Sequence, residues 1–413
     1  MASLSHLMPL LLLIALIQGC SAFGPTRSVD GDVPLTRPFT ELNEDQLLDV
    51  WVELFDPGEL PQDEDEAMGL SMDIREAEAR YVPEQLRATM ERSGYWGAVR
   101  LVPRDTAGSE LLVRGTILIS DGERLELEIT ALDASGREWL KRIYQAETEY
   151  SRYQANGLNG GDAFQSLYNT IANDLAEVRA ELDATETKTI RRVAALRFAA
   201  DLAPDAFTGY LREDEGKFSV VRLPAADDPM YRRVQAIRDR DLLLIDTLNG
   251  HFGNFTRQME RPYTEWRRAR SEEADALREI KYDALKRKAL GVAAILGAIA
   301  IEATGNGGNA AASVLRDSLV LGGAYAIKTG FDKSAQYGIY RDAIEELGES
   351  FSSEARPMVV EVEGETHELT GSAEVQYSRW RELLRQIHAS ETGLPPPAIE
   401  PTVGRDSAGH HGL

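Results

Sequence analysis

Polar and apolar residues alternate most regularly from Arg124 to Ala131. Leu125, Leu127, Ile129 and Ala131 are separated by Glu126, Glu128 and Thr130. A period of two sends the two sets to opposite faces, so the stretch predicts a strand with one buried and one wet face. Upstream, Leu111–Ser120 (LLVRGTILIS) is a nearly continuous strand signal, Ala98–Val102 is a shorter one, and Val50–Phe55 (VWVELF) is another. Asp121-Gly122 and Ala134-Ser135-Gly136 carry hairpin turn chemistry, the second leading into Trp139–Ala146. These runs predict an antiparallel meander.

Between the strands the period becomes helical. Pro83 suits the first position of a helix that stops at Gly94, with Leu86 and Met90 on one face. From Phe164 to Leu182 the apolar residues Phe164, Leu167, Tyr168, Ile171, Leu175, Val178 and Leu182 form one stripe, with Asp162 as the expected cap. Such a stripe predicts packing onto the sheet rather than a cofactor role. Residues 48–185 thus predict an α+β domain, a small antiparallel sheet with covering helices.

Residues 186–391 predict a second, mainly helical domain. Residues 229–249 and 262–303 have helical composition, with His251-Phe252-Gly253-Asn254 as the interruption and Pro262 opening the second helix. The run Trp266–Lys288 mixes charges of both signs and predicts an exposed helix laced with i, i+4 pairs. It leads into Ala289–Ile301 (ALGVAAILGAIAI), the glycine-rich break Gly305–Asn309, and Leu319–Ile327 (LVLGGAYAI). Gly291, Gly297, Gly322 and Gly323 allow close backbone approach and are candidate docking or helix-packing positions. Each arm is shorter than the ~20 residues that span a bilayer. A buried hairpin of the core, a docking or self-association hairpin and shallow membrane insertion all fit this pattern. A short β-hairpin follows, from Val359, Val360 and Val362 through Glu363-Gly364-Glu365 to Thr366–Leu369. The last helix holds Val375, Trp380, Leu383, Leu384 and Ile387, and residues 392–413 read as a disordered tail.

Composition narrows the function classes. The 413 residues are 43% hydrophobic and 27% charged, ordinary globular usage, but the net charge is −23. Such acidity argues against nucleic-acid binding, which needs a basic footprint, and against broad adhesion to anionic headgroups. The densest acidic run, Asp56–Glu66 (DPGELPQDEDE), lacks the spacing and turn glycine of an EF-hand and predicts a solvated loop.

Cys20 is the only cysteine, so no internal disulfide forms. It follows the apolar run Leu7–Ile17, too short to cross a bilayer but of the length of a signal-peptide core. The stretch Ile17-Gln18-Gly19-Cys20 resembles the lipobox of bacterial lipoproteins. The resemblance implies that residues 1–19 are a signal peptide, that the Cys20 thiol is the lipid (palmitate-type) attachment point, and that residues 20–47 form a tether. By the family's sorting rule, Ser21 after the cysteine implies the outer membrane, with the body on its periplasmic face. The strand VWVELF, the phrase GAVRLVP and the run LLVRGTILISDG are similar in order to the periplasmic α/β domains at the start of TolB and in LpoB- and CsgG-type lipoproteins. That likeness implies a domain that contacts envelope machinery rather than one that catalyses.

A search for chemistry adds little. No G-x-S-x-G elbow is present, and HELTG at His367 lacks the second histidine of a zinc motif. No metal site and no cofactor are expected. The 68 acidic residues make chance carboxylate pairs plentiful, and no pair stands out. The expectation is a lipid-anchored, non-catalytic envelope protein that assembles or scaffolds, partnered with the membrane through Cys20 and with envelope proteins or a second copy. The rival is a hydrolase of a cell-wall or envelope polymer acting through carboxylates that the sequence does not single out.

Overall fold

The computed structural model describes residues 25–62, 70–103, 108–148, 162–302, 341–346, 348–349, 358–362 and 365–393, with the side chains of 273–302 outside the description. The class is α+β. A six-stranded sheet has the order β1-β6-β5-β4-β2-β3. Its strands are β1 Thr26–Val29, β2 Val50–Glu53, β3 Val99–Val102, β4 Leu111–Ser120, β5 Arg124–Asp133 and β6 Glu138–Glu147. The expected meander is its centre: β4 to β5 and β5 to β6 are antiparallel.

The sheet as a whole is mixed, which corrects the expectation of an antiparallel one. β2 runs parallel to both β3 and β4, and β1 runs parallel to β6. The reason is the crossover. Helix α1, Met72–Ser93, links β2 to β3, and a strand–helix–strand unit returns its second strand in the same direction.

α1 begins eleven residues before Pro83, with Ser71 as its cap, so Pro83 lies inside the helix rather than opening it. A proline has no N–H, which releases the carbonyl four residues earlier from the helical ladder. That carbonyl belongs to Ala79, and it accepts the backbone N–H of Phe55 at 3.0 Å. The break in the helix is therefore a stitch to the end of β2. Gly94 ends the helix at φ 76, as expected.

The tether expected over residues 20–47 is laid onto the body from residue 26. β1 pairs with β6, and Arg27 forms an ion pair with the buried Asp174 of α2, Gln165–Ala180. Beyond β1, Val33 N–H donates to Ser166 Oγ at 3.1 Å and Thr36 N–H to Asn173 Oδ1 at 2.8 Å. The side-chain amides of Asn169 and Asn173 donate back to the carbonyls of Val33 and Pro34. Arg179 and Arg191 then donate to the carbonyls of Gln46 and Leu47. All these links join residues far apart in sequence and leave no period to read. Asp162, expected as the cap of α2, is not the N-cap, which is Phe164, but its carboxylate accepts the Phe164 N–H at 2.8 Å.

Residue 185, the expected boundary, lies in the first turn of a helix. α3, Ala184–Leu202, follows α2 at once, and its Ile190, Val193 and Phe198 belong to the same apolar cluster as β2, β4 and β5. After the short α4, Pro204–Phe207, a hairpin of β7 Leu211–Asp214 and β8 Lys217–Val220 stacks its turn on the β5–β6 turn. Phe218 N–H donates to the Ser135 carbonyl at 2.8 Å there, and a side chain on Gly136 (φ +82) would strike the Gly216 carbonyl.

α5, Pro229–Glu302, is one uninterrupted helix. Both the break expected at His251–Asn254 and the start expected at Pro262 are overridden. Phe252 and Phe255 are buried against the body, and tertiary packing outweighs the ~1 kcal/mol that a glycine such as Gly253 costs a helix. The strand pair β9 Met358–Val362 and β10 Glu365–Leu369 and the final helix α6, Ala373–Thr392, stand as expected. α6 ends at Gly393, in the left-handed conformation.

Candidate functional site

A cluster of buried ionisable side chains lies where α5 crosses α1, between α2 and the end of β4. α1 supplies Arg75, Glu78 and Tyr81, β4 supplies Ser120, and α5 supplies Tyr263 and Arg267, one helical turn apart. Asp162 stands just before α2. Glu78 accepts hydrogen bonds from Ser120 Oγ and from Tyr263 Oη, both at 2.5 Å. Arg267 donates to Tyr263 Oη at 2.6 Å and to both oxygens of Asp162 at 3.2 Å. Tyr81 Oη donates to Asp162 at 3.0 Å. The Arg267 guanidinium also lies 4.6 Å from the ring centre of Phe164 and 3.9 Å from that of Tyr263. Arg75 approaches Glu78 at 3.6 Å and donates to the Ile117 carbonyl at 3.2 Å.

Every one of these side chains is buried; Glu78 and Tyr263 are 0% exposed and Arg267 is 2% exposed. Burial raises the tyrosine pKa values of Tyr81, Tyr168 and Tyr263 well above the ordinary one. Burial also pushes the Glu78 carboxyl up, while Arg75, Ser120, Tyr263 and Arg267 pull it down, and burial wins. The folded chain therefore holds this proton more tightly than the unfolded chain does. Its contribution to stability is full below the unfolded carboxyl pKa and is lost as pH rises through the folded one. Compared with Glu78→Gln, which does not titrate, the wild type should gain relative stability as pH falls from about 7 towards the ordinary value of 4.5. Urea midpoints of the two chains across that range check the sign, and a difference that stays flat or reverses would remove Glu78 as the titrating group.

Two smaller networks repeat the design. Asp241 of α5 meets Arg381 of α6 at 3.1 Å and Tyr377 Oη at 3.4 Å, and Arg381 also pairs with Asp201 of α3. Asp174 accepts from Arg142 Nη1 and Tyr144 Oη, both at 2.7 Å, besides Arg27. Between the two networks on α5, Asn249 pairs with the outer edge of β3. Its Oδ1 accepts the Leu101 N–H at 2.7 Å and its Nδ2 donates to the Leu101 carbonyl at 2.8 Å. The amide stands where a further strand would pair, which closes that edge of the sheet.

What these clusters do chemically is neutralise buried charge between elements. Among the described residues no group of three or more His, Cys, Asp or Glu is arranged to hold a metal ion. His367 sits in β10 opposite Val360, and His388 is buried on α6, where burial and then Arg233 lower its pKa. In the acidic run, the described Asp56 is exposed and its carboxylate accepts the Gly58 N–H at 2.9 Å.

Of the positions singled out in the sequence, Cys20, Gly322 and Gly323 lie outside the described residues, as do Gly305–Asn309 and the arm Leu319–Ile327. Gly291 and Gly297 lie on the last turns of α5. Among the described residues no helix is long and apolar enough to cross a membrane. The expectation that Trp266–Lys288 is exposed fails at Trp266, Arg267 and Ser271, which are 0%, 2% and 0% exposed. In the sequence the network shows as the i, i+4 spacing of Tyr263 and Arg267 and the three-residue spacing of Arg75, Glu78 and Tyr81. No family model, curated protein or solved structure matches this chain.

Proposed function

We propose that the chain is a bacterial envelope lipoprotein, acylated on Cys20 and held at the periplasmic face of the outer membrane, whose role is assembly or scaffolding rather than catalysis. The observation that carries this reading is the disposition of its buried carboxylates. Asp162, Asp174 and Asp241 are each taken up by an arginine and a tyrosine from other parts of the fold, and Glu78 by Ser120 of β4 and Tyr263 of α5 beside Arg75 of its own helix, so all four serve as clamps between elements. The lipobox-like start and the acidic body support the same reading: a lipid supplies the membrane attachment that charge does not.

The test is Cys20→Ser. The wild type should float with membranes and carry the mass of acyl chains on a chain beginning at Cys20, whereas the variant should lack both. An unchanged mass and unchanged membrane fractionation would remove the assignment. Crosslinking in intact cells then tests the role. Reproducible envelope partners or self-adducts support a scaffold, and hydrolysis of a cell-wall polymer by the purified chain would replace it.

A further inference from the structure

We infer that β1 shortens the connection between the lipid and the folded body to residues 20–25, so that the end of the body carrying the β5–β6 turn and the β7–β8 hairpin faces the bilayer and α5 points away from it. The inference rests on acylation of Cys20 and adds to that reading an orientation and a lipid-facing surface.

The first argument is chain length. β1 begins at Thr26, and the Pro25 carbonyl already accepts the Ile143 N–H at 3.2 Å. Six residues span at most about 20 Å when fully extended. Residues that would otherwise lengthen the connection are held down by β6, by Asp174, by the polar side of α2 and by Arg179 and Arg191.

The second argument is direction. β1 runs from Thr26 beside Ile143 to Val29 beside Ala146, so the chain arrives from the side of the β5–β6 turn. α5 leaves at the opposite end, where Ser271 Oγ donates to Glu123 at 3.2 Å and Arg270 to the Asp121 carbonyl at 3.4 Å. From Ser271 to Glu302 the helix extends about 45 Å at its usual rise. It carries Ala289–Ile301 in the direction opposite to that from which the anchored chain comes.

The third is an exposed apolar pair. The turn of the β7–β8 hairpin is stacked on the β5–β6 turn, and at the open end of that hairpin, where the Val221 N–H donates to the Tyr210 carbonyl at 2.9 Å, come Val221 and Leu223, 52% and 48% exposed. Exposed apolar side chains at an anchored end suit the headgroup boundary of a lipid surface. The acidic body gains nothing from anionic headgroups, so the surface should be recognised equally well when it is neutral.

The experiment couples the chain beginning at Cys20, through its only thiol, to a maleimide-bearing lipid in phosphatidylcholine vesicles. This step bypasses cellular acylation, so failure of the orientation is separate from failure of the lipoprotein assignment, which the mass of the cellular form decides. Benzoylphenylalanine replaces either Leu223 or Met72, the latter 39% exposed at the start of α1 near the opposite end. On illumination, several-fold more lipid adduct is expected at position 223 than at position 72. Equal yields, or more at 72, would overturn the orientation. Twenty or so Gly and Ser residues inserted between Gly24 and Pro25 should remove the difference, because the flexible reach of such a linker adds ~25 Å. A preference that survives the insertion would overturn the short connection as its cause.

Discussion

Arg267→Ala should lower the stability of the chain by about 3–5 kcal/mol, the usual consequence of removing one partner from a buried ion pair. Arg267 is 2% exposed, bridges Asp162 and Tyr263, and packs against the rings of Phe164 and Tyr263. Its loss leaves the Asp162 charge buried with only hydrogen bonds from Tyr81 and Phe164. It also opens a hole between α5 and α2. The neighbouring Arg268→Ala is the control. Arg268 is 41% exposed and reaches Glu265 at 3.9 Å, so its loss should cost less than about 1 kcal/mol. Urea unfolding of the three chains separates these outcomes, because the midpoint moves with stability. A loss below about 1 kcal/mol for Arg267→Ala would mean that the network does not hold α5 to the body. A double-mutant cycle with Asp162→Ala should return a coupling of at least ~1 kcal/mol, since the two side chains touch.

Leu127→Ala should cost about 2–5 kcal/mol, the range for deleting a buried leucine side chain. Leu127 is 0% exposed at the centre of the meander, opposite Ile117 on β4 and Tyr144 on β6. Glu126 is one residue away on the half-exposed face of the same strand, so Glu126→Ala should stay within about 0.5 kcal/mol. The same unfolding measurement applies. Equal losses at the two positions would contradict the register by which alternate residues of β5 enter the core.

Seen together, the networks give α5 a particular status. It is attached at Asp241, Asn249, Tyr263 and Arg267, to α6, to β3, and to α1 with Asp162. Several attachments spread along one helix resist tilting better than any one of them alone. The direction of α5 relative to the body is thereby fixed as far as Ser271. On the proposed reading, a scaffold that stands on a short lipid connection needs such a rigid strut, because the connection itself has no reach.

The amino-acid sequence by itself determined the local elements wherever one periodicity governed them. The alternation at Leu125–Ala131 became β5, the stripe from Phe164 became α2, and Gly94 stops its helix, because side-chain period and left-handed glycine conformation are properties of a few consecutive residues. It also placed a lipobox-like cysteine after an apolar run, a pattern readable without any fold. Only the tertiary structure decided the rest. Pro83 read as a helix start and Gly253 as part of a break, yet both lie inside helices, because a Phe55 N–H takes the freed carbonyl and Phe252 packs beside the glycine. Residues 26–47 read as a tether, yet they are fastened by partners more than 130 positions away in sequence. The parallel pairing of β1 with β6 and of β2 with β3 and β4, the apolar cluster that α3 shares with the sheet, and the Glu78–Tyr263–Arg267–Asp162 network share one physical cause. Each depends on contacts between residues distant along the chain, and such contacts leave no period in the sequence; they exist only once the chain has closed on itself.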